Sequence, residues 1–247
     1  MSGRGAWSNT GRGGTLKRQS DLVTVPGPYY LLAVGGPPLV GSAARDTMKA
    51  GHTPSLDQLA VNYGVKAIQK LLNYGHPTLV VDGVFGRATD AGVRGYQVKA
   101  GLKEDGSAGP HTLGRLLLPH IKRIGGSDWE VVYGLLRNEG AFDPGAVGVI
   151  DEQDLGLAQI NGRAHPDMTI EQRFDPFIAI QFNANYLANA LAELGNVRDA
   201  VLSYNLGIGG VRTWIKAGRP RKYSPDGGPL RDTTAYVDRV LNAYKEL

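Results

Sequence analysis

Glu139 stands in an unusual place for a carboxylate. It ends a segment with apolar residues at helical spacing, and a turn-forming Phe142-Asp143-Pro144 follows it. Burial at such a helix end would raise the pKa of a carboxyl group, since it disfavours the charged form. A carboxyl that keeps its proton near neutral pH can protonate the leaving oxygen of a glycosidic bond. The alternative is a solvated charge at a helix end, because carboxylates are rarely buried.

Three motifs follow one another in the second half of the chain. The first is E-x-x-F-x-P from Glu139, followed after a gap by G-L-x-Q-I-N over residues 156–161. The second is A-V-L-S-Y-N-L-G over residues 200–207, and the third begins with Tyr236-Val237. Together they resemble the lysozyme-like superfamily, especially its soluble lytic transglycosylase branch. That resemblance implies cleavage of the β-1,4 bond between N-acetylmuramic acid and N-acetylglucosamine in peptidoglycan.

The resemblance also implies roles for particular side chains. In lytic transglycosylases one glutamate, here Glu139, serves as the acid while the sugar's own groups close a 1,6-anhydro ring. Five further positions match places where the superfamily lines its substrate cleft: Gln159, Asn161, Tyr204, Asn205 and Tyr236. For the two amides at 159 and 161 the alternative is a loop closed by hydrogen bonds to the backbone. For the others the alternative is packing in the core.

Asp154 departs from the transglycosylase pattern. Where that family commonly has Gly-Ala, this chain has Gln153-Asp154, which is similar to the D-Y-G-x-x-Q-I-N of animal-type lysozymes. In those enzymes the aspartate is the second carboxylate, so the resemblance makes Asp154 a second catalytic candidate. Asp151 and Glu152 are alternatives, and all three could instead belong to a solvated acidic loop.

Helices should carry these residues. Ser127 and Glu130 predict a capping box that opens the helix ending near Glu139. Asp175-Pro176 predicts the start of a long helix that ends at Gly195, and two shorter helices follow over residues 200–204 and 211–215. Asp232 is expected to cap the last helix. The fold class is therefore mainly α, with a lysozyme-like lytic transglycosylase domain over residues 125–247, after a junction at residues 119–126.

An internal repeat fills residues 55–119. V-K-A-I-Q at residues 65–69 is echoed by V-R-G-Y-Q at 93–97, and D-G-V-F-G-R-A-T at 82–89 by D-G-S-A-G-P-H-T at 105–112. Asp-Gly pairs make tight turns, and each Thr is expected to cap the helix after its turn. The doubled pattern resembles the three-helix peptidoglycan-binding domain. Exposed side chains beside the turns are the candidates for wall contact: Phe85, Arg87 and Tyr96, the last with a core position as its alternative.

Residues 1–54 form an arm rich in Gly, Ser, Arg and Pro, a composition typical of linkers. The stretch at residues 23–40 mixes apolar residues with Pro and Gly, so it could form short strands, lie on the surface, or anchor the protein to a partner such as a phage tail.

The composition leaves few other functions open. The 247 residues carry a net charge of +4 and a pI near 9.2, which favours polyanions such as cell wall, but the basic residues form no nucleic-acid motif. The chain has no cysteine, and His165 and the other histidines lack metal-ligand spacing, so we expect no cofactor and no metal. The sequence has no run of about 18 apolar residues, and its N-terminal stretch does not show the pattern of a secretory signal, so we expect neither a membrane span nor a secretory leader.

These observations favour a phage endolysin, held in the host cytoplasm until a holin releases it to the cell wall. A virion-associated structural component and a chitin-cleaving enzyme are the alternatives.

Overall fold

The computed structural model describes residues 56–74, 78–148, 153–224, 227 and 230–247. The predicted arm and the acidic residues Asp151 and Glu152 lie outside these ranges. The described chain is mainly α-helical, as predicted, with two short hairpins of two residues per strand. Within it, no helix combines the length and apolar character that crossing a membrane requires.

Three helices form the first unit, which we call the three-helix unit: α1 (Leu56–Leu72), α2 (Arg87–Lys99) and α3 (Pro110–Gly125). Val65 and Ile68 of α1 are buried in its core, as the helical spacing predicts. The residues expected to form a junction, 119–125, are instead the last part of α3, because Pro119 is accommodated inside the helix. The helix ends at Gly126, which adopts a positive φ of 55°.

Two buried glutamines organise the repeats. Gln69 donates to Asp82 Oδ1 (2.9 Å) and accepts the backbone N–H of Gly83 (3.0 Å). Gln97 makes the same pair of contacts with Asp105 (2.9 Å) and Gly106 (2.9 Å). Each glutamine therefore ties one helix to the Asp-Gly turn that follows it.

The predicted threonine caps are wrong. Thr89 and Thr112 are buried inside the first turns of α2 and α3, whose N-caps are Gly86 and Gly109. Their hydroxyls donate to backbone carbonyls of the preceding turns and accept from the buried glutamines. A buried hydroxyl needs both kinds of partner, and the turn supplies them.

The second unit contains the remaining helices. A 3₁₀ turn (Gly126–Asp128) leads into five α-helices: α4 (Trp129–Gly140), α5 (Ile170–Phe174), α6 (Pro176–Leu194), α7 (Val197–Lys216) and α8 (Thr233–Asn242). A 3₁₀ turn (Ala243–Glu246) ends the chain. The hairpins pair β1 (Asp154–Leu155) with β2 (Ile160–Asn161), and β3 (Lys222–Tyr223) with β4 (Arg231–Asp232).

Most of the predicted helix boundaries are confirmed. Asp175 caps α6 by accepting the N–H groups of Phe177 and Ile178, and Gly195 ends that helix with a positive φ. Asp232 caps α8 through the N–H of Ala235. The predicted capping box at Ser127 is wrong, because this residue lies in the 3₁₀ turn and α4 starts without a side-chain cap.

A break inside α7 matches the two shorter helices expected there. Gly207 leaves the helical conformation with φ 72° and ψ 156°, values that glycine adopts without a steric cost.

The two units pack against each other through a common hydrophobic core. One hydrophobic core extends from Val65 in α1 to Ala243 after α8. The ring of His120, on α3, meets Phe177 of α6 edge-on at 4.5 Å, and Tyr63 of α1 stacks on Phe174 at 5.8 Å. The three-helix unit therefore packs directly on the second unit.

Candidate active site

Glu139 lies in the last turn of α4 and is half-buried. Its Oε1 accepts a hydrogen bond from the hydroxyl of Tyr236 (2.8 Å) and another from Nδ2 of Asn138 (3.0 Å). Hydrogen bonds of this kind fix the direction of a carboxylate. The site therefore presents one oriented carboxyl group at the end of a helix.

Two glycines of α4 set the position of this carboxyl group. A Cβ on Gly134 would lie 2.0 Å from the carbonyl oxygen of Val240, so its absence lets α8 approach closely. A Cβ on Gly140 would lie 2.6 Å from the carbonyl oxygen of Leu157, which follows β1. The end of α4 is thereby held between α8 and the first hairpin.

The chain turns sharply after the acid. Ala141 and Phe142 both have positive φ values, of 51° and 59°, which are costly for residues with a side chain. Phe142 is buried against the ring of Tyr133, at 4.8 Å. The E-x-x-F spacing thus reflects a packing anchor that stabilises the turn.

Asp143 follows in the same turn. Burial raises the pKa of Asp143 to about 7, although its bond from the Gly145 N–H works in the opposite direction.

A cluster of tyrosines lies beside the carboxyl group. The hydroxyl of Tyr204 donates to the carbonyl of Ala158 (2.9 Å), and its ring meets Tyr186 edge-on at 5.4 Å. Burial, and next the charge of Glu139, raise the pKa of Tyr204 and Tyr236 well above the usual value. Both hydroxyls therefore stay protonated at neutral pH and act as donors.

Two family models match the chain. The transglycosylase SLT domain model matches residues 120–225, and the peptidoglycan binding domain model matches residues 62–116. The chain joins a peptidoglycan-binding domain to a transglycosylase SLT domain. A search of the curated proteins found no match.

The matched ranges contain most of the candidate residues. Glu139, Asp154 and Tyr204 lie inside the SLT match, whereas Tyr236 lies beyond its last residue. The SLT domain supports cleavage of peptidoglycan, and the binding domain supports peptidoglycan as its target. The division into domains at residues 55–119 and 125–247 stays a prediction. Helix α3 (Pro110–Gly125) runs across the predicted border at residue 119.

Asp154 occupies a buried position in the hairpin of the SLT domain. Only 4% of the residue is exposed, and its Oδ1 accepts from Nδ2 of Asn161 at 2.7 Å. It is close enough to Tyr204 for its charge to help raise the pKa of that phenol. The structure thus brings Asp154 into the same cluster as Glu139 but covers its side chain. Its catalytic role stays a prediction.

Gln159 and Asn161 hold the hairpin loop together. Gln159 has a positive φ of 49°, and its Nε2 donates to the carbonyl of Gly156 (2.9 Å). Asn161 Oδ1 accepts the backbone N–H groups of Arg163 and Ala164 (2.9 and 3.2 Å). Both side chains therefore make the loop-closing hydrogen bonds to the backbone that were the alternative to substrate contact.

Asn205 is hydrogen-bonded to Arg231, a residue that the motifs did not indicate. Nη1 of Arg231 donates to the carbonyl (3.2 Å) and to Oδ1 (3.0 Å) of Asn205. Asn138 was missed in the same way, since nothing except its position next to Glu139 could have pointed to it.

The candidates in the peptidoglycan-binding domain separate by exposure. Arg87 is exposed at the start of α2 and Tyr96 is half-buried against the core. Phe85 is 9% exposed and belongs to the core, so the expectation that it is exposed is wrong. Wall contact by Arg87 and Tyr96 stays a prediction.

Proposed function

We propose that this protein is a lytic transglycosylase that cleaves the β-1,4 bond between N-acetylmuramic acid and N-acetylglucosamine. The observation that carries the proposal is the half-buried carboxyl group of Glu139, held by Tyr236 and Asn138 at the end of α4. This carboxyl group lies within the SLT match. One carboxyl group of this kind can act first as an acid and then as a base.

The reaction needs two proton transfers. Glu139 gives its proton to the glycosidic oxygen as the bond from C1 of the muramic acid breaks, which leaves a free 4-hydroxyl on the glucosamine. The ionised Glu139 then accepts the proton of the muramic acid's 6-hydroxyl as O6 attacks C1. The product is a 1,6-anhydro ring, Glu139 regains its proton, and no water is consumed.

The neighbouring side chains support this carboxyl group in different ways. Tyr236 donates to the ionised form of Glu139 and stabilises it between the two transfers. Tyr204 holds the loop after β1 through the carbonyl of Ala158. We propose that Asn205 contacts the substrate, with its Oδ1 oriented by Arg231. Of the other predicted cleft residues, we propose a substrate contact only for the partly exposed Gln159. Asn161, Tyr204 and Tyr236 are buried, so we propose that they shape the cleft from behind its surface.

The burial of Asp154 favours the transglycosylase over a muramidase. A second carboxylate must reach the anomeric carbon or a water molecule beside it. Asp154 is 4% exposed and its Oδ1 is engaged by Asn161. We therefore assign Asp154 to the support of the hairpin.

Mass spectrometry of the fragments released from purified peptidoglycan tests the proposal. We expect products ending in 1,6-anhydro-muramic acid. Reducing muramic acid ends would instead indicate a muramidase, and reducing glucosamine ends would place the cut at the other glycosidic bond. The Glu139→Gln variant, which keeps the size of the side chain but has no transferable proton, should lose at least about 1,000-fold in rate. Undiminished cleavage by this variant would overturn the assignment.

We further propose that the enzyme serves as a phage lysin, with the three-helix unit holding it on the wall. The pairing of wall-binding and wall-cleaving domains supports this role. The alternative is a virion or tail-associated component. Detection of the protein in purified phage particles would favour the alternative, and its presence only in lysates would favour the lysin.

A further inference from the structure

A groove of about 520 Å³ opens on the three-helix unit, between α1, α2 and α3. It is distant in sequence from the motifs that led to the SLT domain. Its walls include Tyr74, which is 54% exposed, and the half-buried Tyr96. A volume of this size is typical of sites for small ligands.

Glycine keeps the groove open along α2. Gly92 and Gly95 both line it, and a Cβ on Gly95 would meet no atom within 4 Å. Glycine inside a helix is unfavourable by about 1 kcal/mol relative to alanine. Open space at Gly95 is thus kept at some expense to the helix.

The lining of the groove is mostly apolar. Its lining includes four leucines, Ala100 and Pro119. Among the described residues that line it, Lys99 is the one charged at neutral pH, since burial lowers the pKa of His120 to about 4. No described lining residue is Asp, Glu, Asn, Gln or Arg.

Two planar polar side chains of the domain, Gln69 and Gln97, are used elsewhere. Gln69 and Gln97 are buried, and each is bonded to its own Asp-Gly turn. Sugar hydroxyl groups need paired donors and acceptors, and the groove offers few. It suits a ligand with small apolar groups and a negative charge.

Peptidoglycan contains both kinds of ligand. Its glycan strands are rich in hydroxyl groups, whereas its peptide stems carry alanyl methyl groups and free carboxylates. We propose that this groove binds the peptide stem of peptidoglycan, with Tyr74 and Tyr96 against the alanyl groups and Lys99 paired with a stem carboxylate. The inference rests on the proposed function only in taking peptidoglycan as the target.

The groove also adjoins the second unit. Pro119 and His120 line its edge, and the His120 ring lies between Tyr74 and Phe177, at 4.5 Å from each. A stem bound here would be one side chain away from α6. Its attachment to this groove therefore holds the parent strand next to the SLT domain.

The test is a titration of the full-length protein with the free tetrapeptide stem, in which the chemical shifts of the backbone amide signals are measured by NMR at each step. The stem contains no glycosidic bond, so binding is measured independently of cleavage and survives even if the proposed reaction is wrong. We expect saturable shifts at Gly92, Gly95 and Lys99. Peptide-free N-acetylglucosamine tetramer should leave these signals unchanged.

Two variants with matched controls sharpen this test. Gly95→Leu fills the groove while favouring the helix, and should weaken stem binding at least tenfold. Ala91→Leu, exposed on the same helix outside the groove, should not. Lys99→Gln should weaken binding of the stem, because it removes the positive charge that pairs with a stem carboxylate. Lys216→Gln, which removes an exposed charge outside the groove, should have no effect. A stem with its C-terminal carboxylate amidated tests whether that carboxylate is the one that pairs with Lys99: its binding should then be the same to the wild type and to the Lys99→Gln variant.

Three results would overturn the proposal. The first is glycan binding that Gly95→Leu abolishes, which would make this a sugar site. The second is stem binding that Gly95→Leu leaves intact. The third is retention on whole peptidoglycan with no response to either soluble ligand, which would place wall binding elsewhere on the surface.

Discussion

The hydroxyl of Tyr236 donates a 2.8 Å hydrogen bond to Oε1 of Glu139, although the two residues are 97 positions apart. One lies on α8 and the other at the end of α4, and these helices pack closely because Gly134 has no side chain. The proposed catalytic carboxyl group is thus oriented by the last α-helix of the chain. That helix lies beyond the residues matched by the SLT model.

Tyr236→Phe should lower the rate of peptidoglycan cleavage about 10- to 100-fold, since a hydrogen bond to a charged group contributes about 1.5–3 kcal/mol. Losing this donor favours the protonated form of Glu139. The basic limb of the pH–rate profile, which reports loss of the acid's proton, should therefore move to higher pH. Muropeptide release measured from pH 4 to pH 9 checks both effects.

Tyr244→Phe is the matched control for that prediction. Tyr244 is a half-buried tyrosine after α8 whose ring meets Trp129 edge-on at 6.2 Å. Its hydroxyl is not part of the Glu139 cluster, so rate and pH profile should stay unchanged. A Tyr236→Phe enzyme with the wild-type profile would show that the hydrogen bond does not matter for catalysis.

Local sequence signals predicted the elements that depend on neighbouring residues. Asp175 followed by proline, Gly195 at a helix end and Asp232 before the last helix are each read from a few adjacent positions. The break at Gly207 separates the two shorter helices that were predicted over residues 200–204 and 211–215. The fold class could be predicted because these boundaries and the apolar spacing agree.

Contacts between distant residues could not be predicted in this way. The pair Gln69–Asp82 and the burial of Phe85 depend on how α1 meets the turn before α2. The bond from Arg231 to Asn205 joins a hairpin to α7. The motifs placed Glu139 at a helix end and indicated Tyr236 as a cleft residue, but the hydrogen bond between these two residues depends on tertiary packing.

Asp154→Asn should leave the rate of cleavage within about tenfold of the wild type, and the products should still be anhydro-muropeptides. The amide has the same shape, and its Oδ1 can still accept from Asn161. Asp154→Ala removes that acceptor and should destabilise the protein by about 1–3 kcal/mol. A 1,000-fold loss in the stable Asp154→Asn variant would instead make Asp154 a catalytic carboxylate.

Gly134→Ala should destabilise the protein by about 1–3 kcal/mol, because the added methyl group would overlap the carbonyl of Val240. The displaced α8 carries Tyr236, so cleavage should also fall. Gly95→Ala is the control, since this glycine is also inside a helix but has open space around it. That variant should be more stable by about 0.5–1 kcal/mol. Urea unfolding measures both, and a stable Gly134→Ala enzyme would contradict the close packing.

Asp175 should make the stability of the protein depend on pH. Burial raises the pKa of this carboxyl group to about 7, although the N–H groups of Ile178 and Phe177 lower it. Between about pH 4 and pH 7 the folded state therefore binds more protons than the unfolded state, so the free energy of unfolding falls as pH rises.

Asp175→Asn should remove the part of this dependence that comes from Asp175, while Asp143, whose pKa burial also raises to about 7, keeps its own part. Asparagine caps a helix as well as aspartate does but cannot ionise. The difference in the free energy of unfolding between the variant and the wild type should grow in favour of the variant by on the order of 1–2 kcal/mol from pH 5 to pH 8. The effect is limited to this size because Asp175 is only partly buried. Urea unfolding at both pH values measures the gain. Asp57→Asn, at an exposed position on α1, should show none. A pH-independent difference at Asp175 would mean that the carboxyl group is ionised throughout this range.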